Sequence, residues 1–220
     1  MANIITIDGP SASGKGTLAK RLAAKLNFYY LDTGAIYRLL AMNLITSGVD
    51  ANDARGAAAA ANKLAAQFDP LQLENPRLRS DVVAQVSSKA SLHPGVRMAL
   101  LDIQRNLAEN PPRQYKGAVL DGRDTGTVVC PNAPLKIFLV ADARIRAERR
   151  TKELQSRGIA TTYEAVLQDL EARDTRDTNR EVAPLRPAQD AATVDTTNLD
   201  ADAALETVLE LVRARFPDLA

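Results

Sequence analysis

The sequence predicts an α/β protein, a five-stranded parallel sheet flanked by helices, and three observations lead there. Short apolar runs of β type alternate with longer amphipathic stretches, the pattern of strand–helix–strand units. One run, Leu135–Val140, is mostly apolar, as a strand covered on both faces has to be. A glycine-rich turn follows the first strand and opens a helix, at the carboxyl edge where such sheets hold ligands.

In chain order, Ile4-Ile5-Thr6-Ile7 reads as a buried strand, and Leu18, Leu22 and Leu26 recur at the spacing of one helical face. A brief strand at Phe28–Leu31 leads to a helix from about Gly34 to Ser47. Asn52–Gln67 reads as a helix rich in alanine, the best helix former. Val96–Asn110 reads as another, stopped by Pro111 and Pro112. Strands follow at Gly117–Leu120 and Leu135–Val140, then helices at Asp142–Arg157 and Thr162–Thr175. Ala192–Asp195 is a last strand before a terminal helix, Ala201–Phe216. Leu71–Ser91 breaks this rhythm and reads as an inserted subdomain.

The chain has 220 residues, a length suited to one domain with small appendages at about 150 residues per domain. Its 28 basic and 27 acidic residues leave a net charge of +1, which argues against a polybasic nucleic-acid arm and so against a nucleic-acid polymer as partner. Cys130 is the only cysteine, so no intramolecular disulfide forms, as suits a reducing compartment. Met1–Asp8 lacks the basic residues of a secretory signal, and no apolar stretch approaches the ~18 residues that span a bilayer. The expectation is a cytoplasmic protein with no membrane association. Arginine supplies 20 of the 28 basic residues and is suited to bidentate contacts with phosphate, although codon usage accounts for the total equally well.

Gly9, Pro10, Ser11, Ala12, Ser13, Gly14, Lys15, Gly16 and Thr17 lie between the first strand and its helix, the context of a phosphate-binding loop. Glycines let successive N–H groups turn inward on an anion, and the helix N-terminus adds partial positive charge. Lys15 brings a mobile full charge for β- and γ-phosphates. The loop departs from the usual pattern at Gly16, where serine or threonine is expected, with Thr17 one place later. The fold class is therefore that of P-loop nucleoside triphosphate hydrolase-like proteins.

A second constellation begins at Asp32, Thr33 and Gly34, where the second strand meets its helix, with Arg38 one turn in. Asp32 and Thr33 suit helix capping and ligand contact equally; Arg38 is not needed for a cap. Asp121, Gly122, Arg123 and Asp124 lie at the end of the third strand, on the same edge as the loop. An acidic residue there commonly holds the hydration shell of Mg²⁺, which makes Asp121 the candidate, directly or through water. Asp124 could read a ligand donor and Arg123 a phosphate, while a surface turn is the plainer reading. Nine arginines fall between Arg144 and Arg186. Those at 173, 176 and 180 share a helical face. A solvated face with salt bridges is the first reading for Arg144, Arg146 and Arg176. His93, beside Pro94, and Cys130 read as structural.

With these motifs in hand, the chain resembles the bacterial cytidylate kinases over nearly its whole length. The resemblance rests on Ile-Asp-Gly-Pro-Ser with Gly-Lys-Gly-Thr, Asp-Thr-Gly-Ala-Ile-Tyr-Arg, Asp-Gly-Arg-Asp-Thr-Gly-Thr-Val-Val, Lys-Ile-Phe-Leu, and Arg-Asp, Asn-Arg and Ala-Pro-Leu near the end. Adenylate kinases typically carry an aromatic-Pro-Arg sequence after Asp-Gly, where Arg123-Asp124 stands here. The resemblance implies Mg²⁺-dependent transfer of the ATP γ-phosphoryl group to CMP or dCMP by a monomer with three parts. These are a core (1–33, 92–143 and 183–220), a monophosphate-binding region with an insertion (about 34–91), and an arginine-bearing lid (about 144–182). It implies that the Gly9–Thr17 loop holds ATP, with Thr17 and Asp121 on the metal side. Thr33, Arg38 and Arg123 would line the monophosphate site, and Ser88, Arg97 and Asp124 would meet the cytosine. Arg173 and Asp177 would reach the pentose and Arg180 the transferring group. Lys15, Arg123, Arg173 and Arg180 are then the catalytic candidates.

The charge arithmetic agrees. ATP and a monophosphate together carry about six negative charges, of which Mg²⁺ cancels two, and phosphoryl transfer consists mostly of positioning and neutralisation. Cytosine offers an N4 donor with N3 and O2 acceptors, complementary to a carboxylate, an arginine and a hydroxyl. Two departures stand out: threonine at position 33 where the family often has serine, and an insertion shortened around Glu74–Asp81. The competing readings are a small P-loop kinase for another acceptor, and a nucleotide-dependent switch. The switch is disfavoured because no Asn-Lys-x-Asp guanine-reading sequence is present.

Overall fold

A computed structural model describes residues 3–217. Five strands, β1 (Asn3–Asp8), β2 (Tyr29–Asp32), β3 (Gly117–Gly122), β4 (Leu135–Val140) and β5 (Ala192–Asp195), form one sheet in the order β2-β3-β1-β4-β5. Every neighbouring pair runs parallel. β1 is central, and the chain moves to β2 and β3 on one side before crossing to β4 and β5 on the other. The order reverses beside β1, so a crevice opens at its carboxyl end.

The helices are α1 (Lys15–Leu26), α2 (Thr33–Ser47), α3 (Ala54–Ala66), α4 (Asp81–Ala90), α5 (Pro94–Glu109), α6 (Ala143–Ser156), α7 (Tyr163–Asn179) and α8 (Ala201–Arg215). Alternation along the strands divides the core. Ile4, Ala118 and Leu120 pack with Ile36, Leu40 and Leu100 of α2 and α5. Ile5, Ile7, Val119 and Ile137 face the other way, onto Leu18 and Leu22 of α1 and Val208 and Val212 of α8. α6 and α7 form a separate hairpin closed by Ala147, Leu154, Val166 and Leu170. Buried Lys136 fits β4 because its ammonium reaches out to Asp190 at 2.8 Å and to the Pro131 carbonyl.

Elements expected from the sequence are all present, with shifted ends. β3 runs two residues beyond Leu120, which brings Asp121 inside the strand. α7 continues to Asn179 and carries Arg176 and Asp177 on its last turn. Pro94 stands in the first turn of α5, where its missing N–H costs nothing. Leu71–Ser91 holds two 3-10 turns, Pro70–Glu74 and Pro76–Arg79, followed by α4. Each turn starts at a proline, and the preceding Asp69 or Asn75 side chain accepts from its backbone. α4 combines β-branched valines with two serines and has weak intrinsic preference; packing stabilises it, burying Val83, Ser87, Ser88 and Ala90. His93 Nε2 donates to the Ala51 carbonyl (2.8 Å), and Cys130 is buried, which pushes its thiol up to about 11; both are structural, as expected.

Asp8 joins the end of β1 to the turn after β3. Its Oδ1 accepts from the Thr125 backbone (2.9 Å) and hydroxyl (2.8 Å), and its Oδ2 from the Gly126 backbone (2.8 Å). Burial pushes its pKa up, against the pull of those three donors. Asp8→Ala would strand two buried N–H groups, each costing about 1–3 kcal/mol. Denaturant unfolding is expected to show a loss of about 3 kcal/mol; a loss below about 1 kcal/mol would mean the turn finds other partners.

Candidate active site

The loop from Gly9 to Gly14 leaves β1 and curls into α1. Gly14 has φ = 87°, a left-handed value that lets the backbone turn straight into the helix. Three contacts hold the loop from beneath: Thr196 Oγ1 donates to the Ser13 carbonyl (3.1 Å), Arg146 Nη1 to the Ser11 carbonyl (3.0 Å), and the Ser11 N–H to Asp174 (3.4 Å). Arg146 also pairs with Asp174 at 2.7 Å and is only 5% exposed. The expected solvated face therefore fails at Arg146, which is a buried strut between the loop and α7. Arg144 is exposed as expected, and Arg176 is half-buried.

The structure also accounts for Gly16. A Cβ there would lie 3.1 Å from Asp121 Oδ2 and 3.7 Å from the Tyr30 hydroxyl, so the loop packs directly on those groups. Tyr30 donates to Asp121 Oδ2 at 2.7 Å. Burial, with repulsion from Asp32, pushes Asp121 up to about 6. Lys15 donates to the Pro10 carbonyl at 3.1 Å. Burial and then Arg123 push its pKa down to about 7, with Asp121 pulling the other way.

In front of the loop lies a cleft of about 260 Å³. Thr33, Arg38, Ser88, Arg97, Arg123, Asp124, Arg173, Asp177 and Arg180 all line it, together with Lys15 and Asp121. Five helices (α1, α2, α4, α5 and α7) and the end of β3, scattered through the sequence, deliver these side chains to one place. Asp32 caps α2 by accepting from the Ala35 N–H (3.0 Å) and also holds Arg38 at 2.5 Å. The Thr33 hydroxyl donates to the Asp121 carbonyl at 2.7 Å.

Deeper in, Arg97 pairs with Asp124 at 2.5 Å and lies over the Tyr37 ring, 5.3 Å from its centroid. Arg180 reaches the other Asp124 oxygen at 3.4 Å. Ser88 Oγ is buried with no hydrogen-bond partner among the described residues. At the opposite end Arg123 bonds Asp177 (2.8 Å) and Ser11 Oγ (2.8 Å). Burial works against the charge on Arg123 and Asp177 outweighs it, holding its pKa above the ordinary value. Arg173 is the reverse case: burial and then Arg123 push its pKa down, and its buried Nε has no partner among the described residues.

A second cleft of about 520 Å³ runs between the α6–α7 hairpin and α4. Lys15, Asp32, Arg38, Arg123 and Arg173 line both clefts and so mark their junction. Four cations against one carboxylate form an anion site. Beyond it, Gln85 donates to Asp169 (2.6 Å) and Arg150 pairs with Asp81 (3.0 Å), joining α4 to the hairpin. Thr17 is exposed and faces a smaller pocket of about 180 Å³ behind the loop, with Arg149 and Thr196. The structure thus does not bring Thr17 and Asp121 into one cavity.

Sequence reasoning missed Asp8, Tyr30, Tyr37, Arg146, Arg149 and Asp174. Asp8 and Tyr37 sit inside motifs already singled out, and Arg146, Arg149 and Asp174 inside the arginine-rich stretch read as a solvated face or for its arginines alone; Tyr30 gives no local signal. Among the described residues no group of three or more His, Cys, Asp or Glu side chains could hold a metal by itself. No helix among them is long and apolar enough to cross a membrane.

A parallel sheet with a phosphate loop at its switch point, and a second cationic cleft meeting that loop, define a P-loop phosphotransferase with two anionic substrates. The model of the cytidylate kinase family matches residues 5–214, and the chain belongs to that family. Cytidylate kinase of Paramagnetospirillum magneticum is 54% identical over 215 residues, covering 98% of this chain and 100% of that protein. The cytidylate kinase of Bradyrhizobium sp. ORS 278 is 50% identical, covering 96% of each. That of Rhodospirillum rubrum is 49% identical, covering 95% and 96%. An uncharacterized protein from Eubacterium ventriosum shares the fold with a TM-score of 0.51, at 15% identity over 98% of this chain and 100% of that one.

The depressed Lys15 pKa has a measurable consequence. With a free-state value of about 7, the amine is mostly neutral at pH 8.5. A polyphosphate beside it restores the charge, so ATP binding takes up close to one proton there, and affinity falls as pH rises above about 7. Calorimetry in two buffers of different ionisation heat reads that uptake directly. Lys15→Met is expected to abolish it; uptake that persists in the variant would place the titrating group elsewhere.

Proposed function

We propose that the chain transfers the γ-phosphoryl group of ATP to CMP or dCMP, giving CDP or dCDP. The observation that carries this reading is the pair of clefts sharing Lys15, Arg38, Arg123 and Arg173, one of which ends in Ser88, Arg97 and Asp124. The donor phosphates lie over the Gly9–Thr17 loop, with Lys15 on the β- and γ-phosphates. The nucleoside occupies the pocket behind the loop, where Thr17, Arg149 and Thr196 stand. The acceptor lies in front, its phosphate toward Arg38 and Arg123 and its base toward Asp124.

This reading divides the chain into three parts. The region of about 34–91 carries Arg38 and Ser88, the hairpin of about 144–182 carries Arg173, Asp177 and Arg180, and the remainder is the core. A phosphate in the cleft competes with carboxylates for the arginines. Arg38 exchanges Asp32 for the acceptor phosphate, and Arg123 exchanges Asp177 for the transferring group, which frees Asp177 for a pentose hydroxyl. The acceptor phosphate oxygen forms the new P–O bond as the bond to the bridging β–γ oxygen breaks. ADP leaves with that electron pair, and no proton has to move first.

Nucleotide-borne Mg²⁺ fits the residues present. Asp121 is a buried carboxylate beside Lys15 with Oδ2 taken by Tyr30, and no hydrogen bond reaches its Oδ1 among the described residues. An ion that keeps most of its water needs one such group rather than a protein cage. When bound, Mg²⁺ supplies neutralisation of charge on the β- and γ-oxygens. Thr17, on the far side of the loop, falls nearer the α-phosphate.

Base choice follows from satisfaction of buried polar groups. Cytosine N4 donates to Asp124, and the unpartnered Ser88 hydroxyl and Arg97 serve its acceptors. Uracil would set O4 against the Asp124 carboxylate, which costs about 1–3 kcal/mol. CMP and dCMP are therefore expected to exceed UMP by about tenfold or more in kcat/KM. The check is ADP release from ATP and Mg²⁺ with CMP, dCMP, UMP, AMP and GMP offered separately. Equal turnover of CMP and UMP would overturn the role of Asp124; turnover of AMP alone would overturn the base site.

A further inference from the structure

Tyr30 belongs to none of the sequence motifs, yet it lines the 260 Å³ cleft and its hydroxyl touches the residue on which the metal reading depends. It stands on β2, the edge strand, in register with Val119 of β3. Its side chain reaches diagonally forward along β3 and donates to Asp121 Oδ2 at 2.7 Å. The ring is half-buried against the core beneath α1, so it is fixed by packing. Gly16 closes over the pair, at a distance where any side chain would disturb it. β2, β3 and the phosphate loop therefore converge on one hydrogen bond.

We propose that Tyr30 is a positioning residue for phosphoryl transfer. Its phenol fixes the Asp121 carboxylate under the loop with one oxygen occupied, so that the other is presented in a single orientation to the hydrated metal of the nucleotide. This rests on the reading of Asp121 given above. A carboxylate free to rotate about its Cβ–Cγ bond would offer either oxygen, and the metal-bound nucleotide would lose a fixed reference in the cleft. Without a partner, Asp121 could also turn onto Lys15 and draw it away from the phosphates. The phenol is a neutral donor and adds no charge to a cleft already crowded with cations.

Tyr30→Phe removes one hydroxyl and keeps the ring, so packing and melting temperature are expected to stay near those of the natural protein. Expected for the variant is a kcat lower by about tenfold with the KM for CMP little changed. Calorimetric ATP binding with and without Mg²⁺ supplies a second readout, independent of turnover. The strengthening of ATP binding by Mg²⁺ should shrink by about tenfold in Tyr30→Phe, with Mg²⁺-free affinity unchanged. Asp121→Asn is the reference: it should lose the strengthening altogether, and adding Tyr30→Phe to it should do nothing further.

A Tyr30→Phe protein with natural kcat and natural Mg²⁺ strengthening, beside an impaired Asp121→Asn, would overturn the role of Tyr30 and leave that of Asp121 standing. Lost turnover with the strengthening intact would overturn it as well. An Asp121→Asn protein that keeps the strengthening would overturn the reading of Asp121, and the proposal for Tyr30 with it.

Discussion

The crowding of positive charge around one cleft is the constraint on which the rest of the structure depends. Lys15, Arg38, Arg97, Arg123, Arg173 and Arg180 come from five separate segments and line the same 260 Å³ space. Buried like charges repel strongly, and each also loses hydration, so the arrangement persists only because carboxylates are interleaved with it. Asp32 holds Arg38, Asp124 holds Arg97 and Arg180, and Asp177 holds Arg123. Burial, and then repulsion from Arg123, pushes Lys15 down to about 7 and pushes Arg173 down as well. Those two groups stand at the junction of the clefts, where a phosphoryl group in transit would place its charge.

The same constraint explains the backbone. A loop that curls toward an anion makes few backbone bonds of its own, the Ser11 N–H to Asp174 and the Ser13 N–H to the Pro10 carbonyl among them, so it is held from behind. Arg146, Asp174 and Thr196 do this from the hairpin and from the end of β5. Asp8 does the equivalent at the root of the loop, tying β1 to the turn that carries Arg123 and Asp124. The cationic face is paired with carboxylates of the same cleft, and the loop behind it is fixed by buried hydrogen bonds.

How much of this was legible in the sequence depends on whether an interaction is local. The loop, the strand ends and seven of the nine acceptor-side residues lie in short contiguous motifs, Ser88 and Arg97 enter only through the family resemblance, and the structure places all nine in one cleft. Element types were readable from periodicity, with ends misjudged by a few residues. α4 was not read as a helix because its valines and serines carry little preference, and contact with α2 forms it. Arg146 was read as solvated because a run of arginines on a helix usually is; its burial comes from Ser11, 135 positions away. The Tyr30–Asp121 bond spans 91 positions, and that of Asp8 with Thr125 spans 117. No pattern along the chain announces pairings at that distance, which exist only once the strand order is set.

The balance between the hairpin and the remainder follows from the kinds of contact at its two ends. At its base, Arg146 is buried and bonded to the loop and to Asp174, an arrangement whose rupture would strand a charge. At its far side, Gln85 meets Asp169 and Arg150 meets Asp81, whose side chain is 47% exposed. Pairs of that exposed kind are worth about 0–1 kcal/mol and weaken with salt. The hairpin is thus anchored where the phosphate loop is and only lightly fastened across the cleft. A phosphate that neutralises Arg123 and Arg173 would add far more attraction than those outer pairs supply. On the proposed function, closure of the hairpin would be governed by the charge in the cleft, and departure of that charge would leave little to keep the product in place.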